Sequence, residues 1–120
     1  MVSDTIAAVS TAAGEAAISV LRLSGPQAVE IAARVLHARR PLAELPPRRV
    51  HLAEARDSEG LALDQGVVLL FQAPASYTGE PTVEFHGHGG LLVTQRVLEA
   101  FLNAGARHAE PGEFTQRACL

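Results

Sequence analysis

The reading of the fold turns on Ile18-Ser19-Val20-Leu21-Arg22-Leu23-Ser24-Gly25-Pro26-Gln27-Ala28 and the residues that follow it, Val29-Glu30-Ile31-Ala32-Ala33-Arg34-Val35-Leu36. The first half has a period of two, which predicts a strand over Ala17–Leu23. Ile18, Val20 and Arg22 share one face of it, and Ser19, Leu21 and Leu23 share the other. The second half changes period: Ala28, Ile31, Ala32, Val35 and Leu36 recur at helical spacing, which predicts a helix to about residue 38. Between the two, Ser24 supplies a cap, Pro26 suits a first turn, and Gln27 follows Ser24 by three residues. A strand that feeds directly into an amphipathic helix implies a sheet with helices packed against it.

The flanking sequence fits that plan. Thr5–Ser10 reads as a short strand and Thr11–Glu15 as a small-residue loop. Residues 39–49, RRPLAELPPRR, form a proline-broken crossover whose four arginines are expected in solvent. Val50–Arg56 and Leu63–Phe71 read as strands joined by the Asp57-Ser58-Glu59-Gly60 turn. The unbroken apolar run Val67–Phe71 predicts a central strand covered on both faces. After a loop over Gln72–Glu80 comes a strand over Pro81–His86, and Gly87-His88-Gly89-Gly90 turns the chain into a second helix. That helix has Val93, Val97, Leu98, Phe101 and Leu102 on its inner side, and Gly105 stops it as a left-handed cap. Pro111-Gly112-Glu113-Phe114 opens a third helical pattern. The order β-β-α-β-β-β-α predicts an α+β fold, a mixed sheet of about five strands with two or three helices packed on it.

Composition narrows the functions. The chain has 120 residues, 48% apolar and 19% charged, which suits one domain with a real core. No apolar run reaches the roughly 20 residues of a bilayer helix, and the N-terminus lacks the basic head of a secretory signal. One cysteine, Cys119, cannot form an internal disulfide, so a cytoplasmic location without membrane association is expected; Cys119 itself is expected in the core. All ten basic residues are arginine, which removes a Schiff-base lysine and the phosphate-binding lysine of a P-loop. Net charge is −3, so the chain offers no strongly basic surface for gripping nucleic acid.

Two charged residues fall on strand faces. Arg22 shares its face with Ile18 and Val20, and Glu84 shares one with Thr82 and His86, opposite Val83 and Phe85. On their own residues these two charges read either as a structural ion pair or as the lining of a pocket for a planar, hydrogen-bonding ligand. His86 and His88 lie on one side by alternation, half of a metal site at most, because a site needs three or four ligands; no metal is expected. The glycines of Gly87–Gly90 permit close approach of a ligand or simply a tight turn, and Leu92 breaks the dinucleotide fingerprint. No nucleophile elbow surrounds any hydroxyl, so no catalytic residue is assigned.

Five segments in register carry a resemblance: Asp4-Thr5-Ile6-Ala7-Ala8, Val20-Leu21-Arg22-Leu23-Ser24-Gly25, Ser76-Tyr77-Thr78-Gly79-Glu80, Glu84-Phe85-His86-Gly87-His88-Gly89-Gly90, and Arg107 to Ala118 (RHAEPGEFTQRA). Together they resemble the N-terminal domain of the MnmE (TrmE) family of tRNA-modification GTPases, over essentially the whole chain. The resemblance implies a domain over residues 1–118, similar to one repeat of the tetrahydrofolate-binding part of glycine-cleavage T-protein. It further implies that residues 111–120 begin a helix leading to helical and GTPase domains absent from this sequence. It implies a homodimer that binds 5-formyltetrahydrofolate or another one-carbon tetrahydrofolate, with Arg22 and Glu84 matching the family's folate-contacting residues. A further family lysine would fall just past the end of the chain. In the parent, GTP hydrolysis uses magnesium and potassium. With a FAD-dependent partner, MnmG (GidA), the parent adds an aminomethyl-type group to C5 of the wobble uridine of tRNA. The G-x-x-x-x-G-K-[ST] motif is absent from these 120 residues, so this chain alone is expected not to be catalytic. Two other readings stand beside it: a dimerisation scaffold without a complete folate site, and a small metal-dependent enzyme built on His86 and His88.

Overall fold

The computed structural model describes residues 4–11 and 18–119. Seven strands form one sheet: β1 (Ile6–Val9), β2 (Ile18–Ser24), β3 (Leu36–His37), β4 (His51–Arg56), β5 (Ala62–Phe71), β6 (Thr82–His88) and β7 (Arg107–His108). Their order across the sheet is β3-β4-β5-β6-β2-β1-β7, antiparallel except for the parallel β1–β7 pair. Among the described residues there are also three α-helices, α1 (Ala28–Val35), α2 (Leu91–Asn103) and α3 (Glu113–Ala118), and a short 3-10 turn at Leu42–Glu44. The fold is therefore α+β with a mixed sheet, as expected. The strand count is seven rather than five because β3 and β7 are two-residue edge strands, too short to leave a period in the sequence.

The core lies between one face of the sheet and α1 and α2. Leu21 and Leu23 of β2, Val83 and Phe85 of β6, and Val68 and Leu70 of β5 pack with Ile31, Val35, Val97 and Phe101. Phe85 is fully buried, and its ring lies where side chains at Gly66 and Gly87 would otherwise stand. A Cβ at Gly66 would also meet the carbonyl oxygen of His86, so this strand crossing requires glycine. The second helix buries Val97, Leu98 and Phe101 as read from the sequence, while Val93 and Leu102 are half-buried. It ends in paired bonds, Ala106 N–H to the Phe101 carbonyl at 3.1 Å and Gly105 N–H to the Leu102 carbonyl at 3.2 Å, with Gly105 at φ +127°.

Several expectations are corrected. Ser24 does not cap α1: it is the last residue of β2, and its hydroxyl turns to Thr78 and Glu80. The amide of Gln27 instead donates to the Thr5 hydroxyl at 2.9 Å. The helix stops at Val35, not near 38, because Leu36 and His37 pair with Ala55 and Glu54 of β4. β6 runs on through Gly87 to His88, leaving only Gly89 and Gly90 as the turn. β5 is covered by helices on one face only: Val68 and Leu70 are buried, whereas Val67, Leu69 and Phe71 on the other face are half-buried. Cys119 is exposed just past α3, not in the core. The four crossover arginines are exposed, as expected. The expected loop over residues 12–15 and the start of the second strand at Ala17 lie outside the described residues.

Candidate functional site

Alternation along the central strands places a second set of side chains on the face away from α1 and α2. Three rows cross it. Ser24, Thr82 and Phe71 form one, Arg22, Glu84 and Leu69 the next, and Val20, His86 and Val67 the third. The sequence put Arg22 and Glu84 on polar-bearing strand faces; the β2–β6 register makes them direct cross-strand partners.

The Arg22 guanidinium donates through Nε at 3.0 Å and Nη2 at 2.9 Å, both to Oε2 of Glu84. The other carboxylate oxygen, Oε1, lies 2.9 Å from Nε2 of His86. The Arg22 and Glu84 side chains retain 20% and 14% exposure, so the pair is sheltered yet reachable from solvent. Two aromatic rings lie against the guanidinium: its carbon is 5.2 Å from the Tyr77 centroid and 5.4 Å from that of Phe114. The Tyr77 hydroxyl is 2.9 Å from that of Thr115, which joins the two ring-bearing segments. A carboxylate has about four acceptor positions. Three donors already reach Glu84, so an arriving ligand finds one open position on Oε1 and gains a second there if His86 yields.

His86 and His88 do not converge. His86 turns to Glu84, while Nδ1 of His88 meets Asp64 at 2.6 Å and its backbone N–H donates to the same carboxylate at 2.9 Å. Among the described residues no cluster of three or more His, Cys, Asp or Glu is placed to hold a metal ion.

One end of this face is closed by residues 72–80 and α3. Ser24, Thr78 and Thr82 are buried there with their hydroxyls in contact, 2.6 Å for Ser24–Thr78 and 3.4 Å for Thr78–Thr82. Glu80 accepts from Ser24 at 2.9 Å. Beside them lies Arg117, 4% exposed, bonded to Asp4, Glu80 and Glu113. Arg107 bridges Asp4 and Glu113 from outside. Its hydrogen bonds hold both carboxyls below the usual carboxylate range, and Arg107 itself is raised by Glu113 and then Asp4. The sequence reading singled out neither Arg117 nor the two rings beside Arg22. The four-residue spacing of Glu113 and Arg117, with Phe114 between them, was the available signal.

Residues 5–120 match the family described as the GTP-binding protein TrmE N-terminus. The chain is 53% identical over 119 residues to the tRNA modification GTPase MnmE of Akkermansia muciniphila, a match covering 97% of this chain and 26% of that protein. The MnmE of Caldicellulosiruptor saccharolyticus is 44% identical over 119 residues, covering 98% of this chain and 26% of that protein. That of a Sulfurovum species is 45% identical over 115 residues, covering 96% and 25%. The chain belongs to the TrmE N-terminal family, and it spans 25–26% of the length of these relatives. No helix among the described residues is long and apolar enough to cross a membrane.

Proposed function

We propose that this chain is the one-carbon-tetrahydrofolate-binding and homodimerising part of a GTPase that modifies tRNA. In the whole protein, GTP hydrolysis would belong to a separate domain with its magnesium and potassium. With a FAD-dependent partner of the MnmG type, that protein would add an aminomethyl-type group at C5 of the wobble uridine. The observation that carries the reading is the Arg22–Glu84 pair on the sheet face away from α1 and α2, with the rings of Tyr77 and Phe114 beside the guanidinium. A reduced pterin presents an N–H and an exocyclic amine on one edge. A sheltered carboxylate with an open acceptor position suits such an edge, and charge assistance strengthens the contact. Val20, Val67 and Leu69 give the flat ring apolar neighbours on the same face. The folate would supply the one-carbon unit; Glu84 binds and orients it, and Arg22 holds the carboxylate in place.

Dimerisation draws support from the same face. Ile18 and Leu52 are 58% and 79% exposed there, beside half-buried Val20 and Val67. Apolar surface left open this way is suited to a second copy. Calorimetric titration of the chain with 5-formyltetrahydrofolate, with Glu84→Ala as control and light scattering for mass, tests both parts. Saturable binding abolished by Glu84→Ala, in a dimer, is expected. A chain that binds no folate, or that binds it equally well without Glu84, refutes the folate reading; a monomer at the titration concentration refutes the dimer.

A further inference from the structure

Tyr77 and Phe114, whose rings lie against the Arg22 guanidinium, belong to segments outside the sheet: Tyr77 to residues 72–80, Phe114 to α3. Both segments end on one buried side chain. Nη1 of Arg117 donates to the carbonyl of Asp4 at 2.9 Å, to the carbonyl of Ser24 at 3.4 Å, and to the two Glu80 oxygens at 3.2 and 3.4 Å. Nη2 donates to Asp4 Oδ1 at 2.7 Å and to Glu113 Oε2 at 3.4 Å. Its Nε is buried and has no partner among the described residues.

This distribution is informative. A buried donor left unpaired costs about 1–3 kcal/mol, so the contacts of the other nitrogens have to outweigh that loss. Here the two terminal nitrogens carry six contacts and Nε none. The contacts reach four separate pieces of chain: the lead-in to β1, the end of β2 two residues from Arg22, the segment holding Tyr77, and the helix holding Phe114. We infer that Arg117 is a positioning residue for the Arg22–Glu84 site, fixing Tyr77 and Phe114 against the Arg22 guanidinium and thereby the orientation in which Arg22 holds Glu84. The inference rests on the folate reading for its consequence, but its geometric half stands apart from it. Because both Arg22 donors converge on Oε2, rotation of the guanidinium plane would shift the one carboxylate oxygen they share. The cation–π contacts with the two rings, at 5.2 and 5.4 Å, are what restrain that rotation.

The sequence supplies its own probe. It contains one tyrosine and no tryptophan, so the near-ultraviolet fluorescence of the chain belongs to Tyr77. Wild type, Arg117→Lys and Glu80→Gln are compared by far-ultraviolet circular dichroism, acrylamide quenching of Tyr77, and calorimetric titration with 5-formyltetrahydrofolate. Lysine keeps the charge but loses the fork, and Glu80→Gln leaves Arg117 paired with Asp4 and Glu113 while weakening its hold on the tyrosine segment. Both variants are expected to keep the far-ultraviolet spectrum and to show stronger Tyr77 quenching than wild type. The folate Kd of Arg117→Lys is expected to weaken about tenfold or more. Folded variants with wild-type quenching overturn the inference, as does altered quenching with an unchanged Kd. If Arg117→Lys fails to fold, Glu80→Gln alone decides on the same criteria. A wild-type chain that binds no folate sinks the folate reading instead, and the quenching comparison still judges the positioning.

Discussion

Arg22→Met and Glu84→Gln, singly and together, form a cycle that separates a ligand site from a structural ion pair. Two donors at 2.9 and 3.0 Å and side chains 20% and 14% exposed place the pair between the buried and surface regimes. Two charges about 4 Å apart at an effective dielectric near 20 attract by about 4 kcal/mol. Desolvation and residual solvent screening remove most of that, leaving a coupling of about 1–2 kcal/mol. Urea denaturation of the four proteins measures it, provided the slopes agree and the transitions are two-state. The same curves are then recorded with 5-formyltetrahydrofolate. At about 100 times its Kd, a ligand bound only by the folded state adds about 2.7 kcal/mol to wild type. The variants that lose the site gain nothing, so the apparent coupling rises to about 4 kcal/mol. A coupling that folate leaves unchanged, or a Glu84→Gln protein stabilised as much as wild type, would refute the assignment of Glu84 to the ligand.

Two further outcomes follow from other parts of the fold. Gly66→Ala drives a Cβ against the His86 carbonyl and the Phe85 ring, and should lower stability by about 1–3 kcal/mol; an unmoved urea midpoint would show that the β5–β6 crossing gives way more easily than its geometry indicates. Asp4 and Glu113 are held below ordinary carboxyl values, first of all by the hydrogen bond from Arg107. The unfolded chain binds more protons than the folded one in that window. The stability they contribute is therefore present above about pH 4 and lost as pH falls through their lowered values. Arg107→Met should be less stable than wild type at neutral pH, with the difference shrinking below about pH 4; a difference constant with pH counts against the linkage.

What could be read in advance was what leaves a local period. The α+β class, both long helices and the five longer strands follow from alternation and helical spacing. Arg22 and Glu84 could be placed on strand faces but not opposite each other, because they are 62 residues apart and only the β2–β6 pairing joins them. Ser24 illustrates the reverse failure. Its local pattern is that of a helix cap, yet burial beside Thr78 and Glu80 gives its hydroxyl better partners than the start of α1. Arg117 left no local mark beyond its spacing from Glu113, since its importance lies in joining segments up to 113 residues away. The run Val67–Phe71 read as doubly covered because composition records apolarity and not which face is left open.

The placement of the site is enforced by the core behind it. The register that sets Arg22 against Glu84 also sets Leu21 against Phe85 and Leu23 against Val83, and all four of those residues are at most 1% exposed. Side chains alternate with a period of two, so a slip of β2 by a single residue would carry Arg22 into the helix-covered face and bring Leu21 and Leu23 out. Burying an unpartnered guanidinium and exposing two leucines would each cost several kcal/mol, a large share of the roughly 5–15 kcal/mol that holds a domain of this size together. The charged pair therefore does not have to hold its own strands together. Hydrophobic packing on one face fixes the register, which leaves Glu84 on the other face free to keep an acceptor position open at little cost to the fold.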